Sequence, residues 1–136
     1  MLVYEAHTDA VPATAWALIA CPSRWPEWAP HVRGGWHLGW PQVQEGAFGA
    51  ARLFGAVPVP ARITRVDPGR AWEWRVGLVR MDHVVEGDEE GSVVRFTVNA
   101  PGPLEATLRR TYGPFLQRLV ERLARTADEA VAAHGG

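Results

Sequence analysis

Leu104, Leu108, Tyr112, Phe115, Leu119 and Leu123 recur at helical spacing, and Leu116 and Val120 widen the same stripe. They predict a C-terminal helix of roughly 30 residues, about 45 Å long. The mean helix in a globular protein has about 11–12 residues. A stripe this long is buried only if the helix lies across an entire sheet. Glu105 sits in its first turn, where the helix dipole favours a negative charge. Gly113-Pro114 should kink it, because proline cannot donate the backbone hydrogen bond there.

The sheet that such a helix needs is legible upstream. Residues 2–7 read as a first strand. Asp9 and Pro12 then mark a helix start, with Ala13, Trp16, Ala17 and Ala20 on one face, and Cys21-Pro22 stops it. Ser23 to Trp28 fit one more helical turn before Pro30. Between residues 32 and 99 the segments are short and densely punctuated, among others by Gly34-Gly35, Gly55, Pro58, Pro60, Asp67-Pro68-Gly69 and the run from Gly87 to Gly91. Six further strands are predicted: 33–40, 46–54, 59–66, 70–77, 80–87 and 92–99. Hairpin connections make the sheet antiparallel. The class is α+β: seven strands, two short helices after the first strand, and one long closing helix. The length of 136 residues suits one domain, 1–136.

Seven tryptophans, Trp16, Trp25, Trp28, Trp36, Trp40, Trp72 and Trp74, all precede residue 75. Each can bury roughly 150–250 Å², more aromatic surface than a core of this size requires. They either fill the core with a few half-exposed rings or line a pocket for a flat, greasy ligand. Composition narrows the chemistry further. All fourteen basic residues are arginine. Without lysine there is no Schiff-base chemistry, no pyridoxal phosphate anchor and no Walker A loop. The only serines, Ser23 and Ser92, lie outside any G-x-S-x-G elbow. A net charge of −1 gives no field to attract nucleic acid, and Arg109-Arg110 is too small a basic patch to do so. No apolar run approaches the roughly 20 residues that span a bilayer, so stable membrane insertion is not expected. No secretory signal is visible, and the single Cys21 cannot form an internal disulfide; both fit a reducing cytoplasm. The richness in Arg, Ala, Gly and Pro suggests a GC-rich, bacterial source.

The element order, with Trp16 followed by Ser23-Arg24-Trp25-Pro26-Glu27-Trp28 and later by Asp67-Pro68-Gly69-Arg70-Ala71-Trp72-Glu73-Trp74, resembles the helix-grip fold of the START-like (SRPBCC-type) superfamily, which includes the polyketide cyclase/dehydrase and lipid-transport proteins. The resemblance covers the whole chain. It implies a seven-stranded curved antiparallel sheet wrapped around the long C-terminal helix, with a deep hydrophobic cavity between them. It implies no fixed catalytic set, since such proteins include cyclases, hydrolases, carriers and proteins without a known ligand.

Strand alternation assigns the faces independently. Trp72, Trp74, Val76 and Leu78 share the inner face, as do Val94, Phe96 and Val98. Met81, His83 and Val85 form the less charged, inner set of their strand, opposite Asp82, Val84 and Glu86. His83 is then a candidate for proton chemistry, because the unperturbed imidazole titrates near 6.5, or else a core histidine bonded to a neighbour. Tyr112, on the helix stripe before the kink, can bring a hydroxyl to the cavity. Arg62 either points inward to steady an enolate or sits solvated on the outer face. Trp25 and Trp28 are expected to roof the cavity mouth. Trp36, together with Trp40 four residues on, can share a strand face unless Gly39 breaks the alternation. The expected ligand wall is therefore Trp25, Trp28, Trp36, Trp72, Trp74, Val76, Met81, Phe96 and Phe115, with His83, Tyr112 and Arg62 as catalytic candidates.

Other chemistries fare worse. His7, His31, His37, His83 and His134 make no tight ligand pair, so no metal and no cofactor is expected. Asp82 and Glu86 stand roughly 13 Å apart along a strand, beyond the about 5–9.5 Å of glycosidase carboxyl pairs. Three functions remain open: binding a hydrophobic or polycyclic small molecule, cyclising or dehydrating a polyketide-like substrate, and acting as a non-catalytic lipid or quinone carrier or protein-interaction accessory factor. Oligomeric state is open too, a homodimer included.

Overall fold

A computed structural model describes residues 1–29, 31–53 and 57–133. The predicted breaks at Pro30 and Gly55, the end of the strand assigned to 46–54, and His134 lie outside those residues. The order of elements is β1 (Leu2–Thr8), α1 (Pro12–Ala20), a 3-10 turn (Pro22–Glu27), β2 (Val32–Trp36), β3 (Phe48–Leu53), β4 (Val57–Asp67), β5 (Ala71–Val76), β6 (Val79–Asp88), β7 (Gly91–Asn99), α2 (Gly102–Thr111) and α3 (Gly113–Ala133). The seven strands form one antiparallel sheet in the order β1-β7-β6-β5-β4-β3-β2. The first strand thus pairs with the last, and β1 and β2 are the edges. This is the helix-grip fold: the sheet curves around the C-terminal helix, and the short helices follow β1.

The helix that motivated the fold is interrupted. α2 ends at Thr111 and α3 begins at Gly113, with Tyr112 between them. Hydrogen bonds continue through the junction, from Tyr112 N to Leu108 O (2.8 Å) and from Leu116 N to Tyr112 O (2.9 Å). Pro114 has no N–H to offer Arg110 O, so one rung of the ladder is missing there. Gly113 fits for a second reason. A Cβ at this position would come within 2.5 Å of the Tyr4 hydroxyl, which lies against the bend. Beyond the bend, Leu116, Leu119, Val120, Leu123, Ala124 and Ala127 are buried, whereas α2 buries no residue fully. α3 is therefore the gripped helix and α2 a shallower cover. Near its C-terminal end, Asp128 holds the start of α1 in place, accepting from Thr8 Oγ1 (2.6 Å) and Asp9 N (2.8 Å).

β4 runs unbroken through Pro58 and Pro60 although it is an interior strand. It pairs with β5 only from Arg62 onward, and the two prolines lie beyond the end of β5 at Val76. Their missing N–H groups remove no ladder bond on that side. Register then follows: Ala61 and Ile63 are buried, and Arg62 is exposed on the outer face, its guanidinium 5.4 Å from the centre of the Phe48 ring. Leu78 departs from the inner set predicted for it. Gly77 takes φ +61° and reverses the chain after Val76, so alternation ends there and Leu78 is 66 % exposed in the turn. The outer face carries charge, with Arg65 on Asp82 (2.7 Å) and Arg95 on Glu5 (2.9 Å) and Glu86 (3.0 Å). Among the described residues no helix is long and apolar enough to cross a membrane.

Candidate ligand cavity

The site begins at the C-terminus of α1. The last carbonyls of a helix have no partner within it. For Leu18 the residue four ahead is Pro22, which has no N–H, and the backbone leaves the helix in extended geometry at Cys21. Side chains from elsewhere supply the donors. Trp28 Nε1 donates to Leu18 O (2.9 Å), and both Trp25 Nε1 (2.9 Å) and Trp72 Nε1 (3.0 Å) donate to Ile19 O. Ala20 O accepts from Val43 N (2.8 Å). Three indoles from two distant stretches of chain are thus pinned by their N–H ends to one helix terminus, with their ring faces turned to the space under the sheet.

Around that anchor the aromatics stack. His83 lies flat on Trp72, centroids 3.8 Å apart and planes 9° from parallel, and Trp25 stacks on Trp72 at 5.8 Å and 12°. Trp74 meets Trp25, Trp72 and His83 edge-on, and Phe96 meets His83 at 5.1 Å. The cross-strand registers Trp72↔His83 and His83↔Phe96 impose this arrangement. His83 is 3 % exposed, and its Nδ1 lies 3.3 Å from Trp72 O.

Two adjoining lobes open between this cluster, the sheet and the helical junction. The inner lobe, about 50 Å³, is bordered by Trp25, Trp28, Trp72, Trp74, His83, Phe96, Leu116 and Leu119. An outer lobe of about 200 Å³ is walled by Ala51, Val59, Val76, Val79, Val98 and Leu108. His31, Val32, Trp74, Met81 and Tyr112 border both. No arginine, aspartate or glutamate is among the described residues bordering either lobe. Among the described residues the imidazoles and the phenol are therefore the titratable members. Burial drives His83 down to about 3, opposed weakly by its contact with the Trp72 carbonyl. Burial likewise lowers His31 and raises the Tyr112 phenol. All three are uncharged at neutral pH. Tyr112 Oη and His31 Nε2 stand 3.4 Å apart at the seam of the lobes.

Of the residues singled out in the sequence, Trp25, Trp28, Trp72, Trp74, Val76, Met81, His83, Phe96 and Tyr112 border the cavity. Trp25 and Trp28 belong to its innermost wall rather than to a roof over its mouth. Phe115 is set back from both lobes, packed edge-on against His31 at 4.8 Å. Trp36 ends β2 at the sheet edge, 43 % exposed, and Trp40 is 80 % exposed beyond it. Arg62 lies on the opposite side of the sheet. His31, weighed in the sequence only as a metal ligand, borders both lobes; it sits between the 3-10 turn and β2, where no periodicity signals a facing. Among the described residues no three His, Cys, Asp or Glu side chains group as a metal site would require. Cys21 caps α1, and burial raises its thiol, opposed by Arg24.

This geometry is that of a family. The chain belongs to the polyketide cyclase / dehydrase and lipid transport family, whose profile matches residues 2–128. Among solved structures it is similar to a Mesorhizobium loti protein (TM-score 0.74, 13 % identity, 94 % of this chain and 96 % of that one) and to one from Staphylococcus saprophyticus (0.74, 14 %, 98 % and 91 %). A polyketide-cyclase-like protein of Corynebacterium glutamicum is also similar (0.66, 16 %, 98 % and 94 %). At such identities these likenesses establish the fold alone. None of the curated proteins compared matches the chain.

Proposed function

We propose that this protein binds a small apolar molecule of one or two rings between the sheet and the α2–α3 junction, and that binding rather than proton transfer is the cavity's task. The observation that carries this is the outer lobe: about 200 Å³ bordered by valine, alanine, leucine, methionine and indole, with no charged wall among the described residues. An apolar protein cavity of about 150 Å³ holds benzene, whereas drug-sized ligands occupy about 300–1,000 Å³. A multi-ring polyketide is too large for the lobes as they stand. The catalytic candidates argue the same way. An imidazole titrating near 3 is a weak base at neutral pH, and Arg62 is on the wrong side of the sheet to steady an enolate. The single cysteine fits a reducing compartment, and the cytoplasm is the proposed location.

Titrating tryptophan fluorescence with naphthalene-class ligands, quinones and fatty acids tests the proposal. Saturable quenching by the small aromatics, weakened at least about tenfold by Trp74→Ala, supports it, since one buried aromatic wall is worth more than about 1.4 kcal/mol. No response from any ligand refutes it. A second reading has its own observation. Trp36, Phe48 (62 % exposed) and Trp40 present apolar rings near the β2–β3 edge, as a protein-interaction or homodimer surface would. Sedimentation showing a monomer at all concentrations would remove the homodimer.

A further inference from the structure

The indoles of the inner lobe differ in what their N–H groups do. Those of Trp25, Trp28 and Trp72 are committed to α1. Trp74, which borders both lobes, makes no hydrogen bond to a protein acceptor among the described residues. His83 has the complementary feature. Its Nδ1 faces the Trp72 carbonyl, and a carbonyl can only accept, so the proton belongs on Nδ1. Nε2 is then a lone-pair acceptor on a ring that borders the inner lobe, with no protein donor among the described residues. The Trp74 and His83 rings are 5.7 Å apart at 79°. An apolar cavity is therefore bordered by two neighbouring rings, one carrying an acceptor and the other a donor.

Building on the ligand-binding reading above, we infer that the cavity selects a neutral hydroxylated aromatic, a phenol or naphthol, whose hydroxyl enters the inner lobe and donates to His83 Nε2. The oxygen of that hydroxyl is the acceptor that the Trp74 N–H lacks. The sizes agree: the inner lobe's 50 Å³ suits a hydroxyl tip, and the outer lobe's 200 Å³ suits the rings. Carboxylates are disfavoured because no arginine among the described residues borders the site and both histidines are neutral, so an anion would meet no positive partner among them. Ketones, quinones and ethers are disfavoured because their oxygens can accept from the Trp74 N–H but bring no proton to His83 Nε2, so only one of the two groups gains a partner. The opposite tautomer would place the bare Nδ1 against the Trp72 carbonyl.

Calorimetric titration at neutral pH with naphthol, its methyl ether and naphthoate tests the inference. Naphthol should bind about tenfold more tightly than the ether, or better, on the usual worth of a buried hydrogen bond, and naphthoate should not bind measurably. His83→Phe should abolish the preference for naphthol over the ether, so the ratio of the two affinities, not either affinity alone, is the readout. Equal binding of naphthol and ether by the wild-type protein overturns this inference while the cavity's ligand-binding role stands. That ratio decides the question even if His83→Phe does not fold. Failure of all three to bind overturns the ligand-binding reading and this inference with it.

Discussion

The clearest test of how the tryptophans are used is a double-mutant cycle on the pair that shares one carbonyl. Ile19 O accepts from both Trp25 Nε1 and Trp72 Nε1 and lies among fully buried residues. Trp25→Phe or Trp72→Phe alone trims a buried ring and costs about 1–2 kcal/mol, but leaves Ile19 O with one donor. The double variant strips both donors and leaves a buried carbonyl unsatisfied, a further cost of about 1–3 kcal/mol. The rings also stack on each other at 5.8 Å and 12°, which would make the losses less than additive, by about 0.5–1.5 kcal/mol if the stacking vanished. Phenylalanine keeps a ring in each place, so most of that contact survives and the orphaned carbonyl should win. The double variant should therefore fall below the sum of the singles by about 1–2 kcal/mol. Urea unfolding followed by far-ultraviolet circular dichroism reads this without using the altered fluorophores. Additivity within about 0.5 kcal/mol, or a double variant more stable than the sum, would refute the shared-acceptor argument. Trp28→Phe is the natural companion. Leu18 O has no backbone alternative because of Pro22, so this single change should cost more than Trp72→Phe.

Two other outcomes follow from the geometry. Gly49→Ala places a Cβ 1.8 Å from the Trp36 carbonyl oxygen on the neighbouring strand, so β2 and β3 must separate; thermal unfolding should fall well below that of Gly46→Ala, whose Cβ meets nothing within 4 Å and which carries only the strain of φ +84°. Stability should also depend on pH through His83. Its folded value of about 3 is below the 6.5 of the unfolded chain, so the ring is neutral in both states above 6.5 and contributes no slope there. Below 6.5 the unfolded chain takes up the proton first, and stability is lost at about 1.4 kcal/mol per pH unit until the folded value is reached. Urea midpoints for the wild-type protein and His83→Phe should diverge in slope within that window, and parallel profiles would show that His83 is not held neutral by burial.

The fold was readable because its strongest signals are periodic. The stripe from Leu104 to Leu123 demanded a sheet, and the alternation in β5, β6 and β7 correctly placed Trp72, Trp74, Val76, Met81, His83 and Phe96 inside. What failed to show lies where periodicity stops. Leu78 was lost to a two-residue turn and Trp36 to a strand that ends at that residue, while the facing of Arg62 stayed open between inner and outer because its register depended on how far β5 extends. His31 occupies a connector, where facing is set by the elements on either side. The ownership of the Trp28 N–H was latent in the sequence, since Pro22 denies Leu18 O its usual partner, but naming the donor required the third dimension. Tyr112 was expected before the kink and stands in the kink itself.

The choice between core and pocket, open for the tryptophans in the sequence, is decided ring by ring and atom by atom. Trp25, Trp28 and Trp72 are structural at their nitrogen ends, because α1 terminates on them, and wall at their faces, because the inner lobe lies against them. Such rings cannot swing to fit a ligand without releasing the helix, so that wall is rigid. Adaptability is left to Met81, with its unbranched thioether, and to α2, which buries nothing fully and crosses the outer lobe at Leu108. A rigid inner end that fixes a polar tip, joined to a softer outer end that accommodates apolar bulk, would be strict about the ligand's hydroxyl and tolerant of its ring substituents. Affinity across substituted naphthols should therefore vary little compared with the loss on capping the hydroxyl.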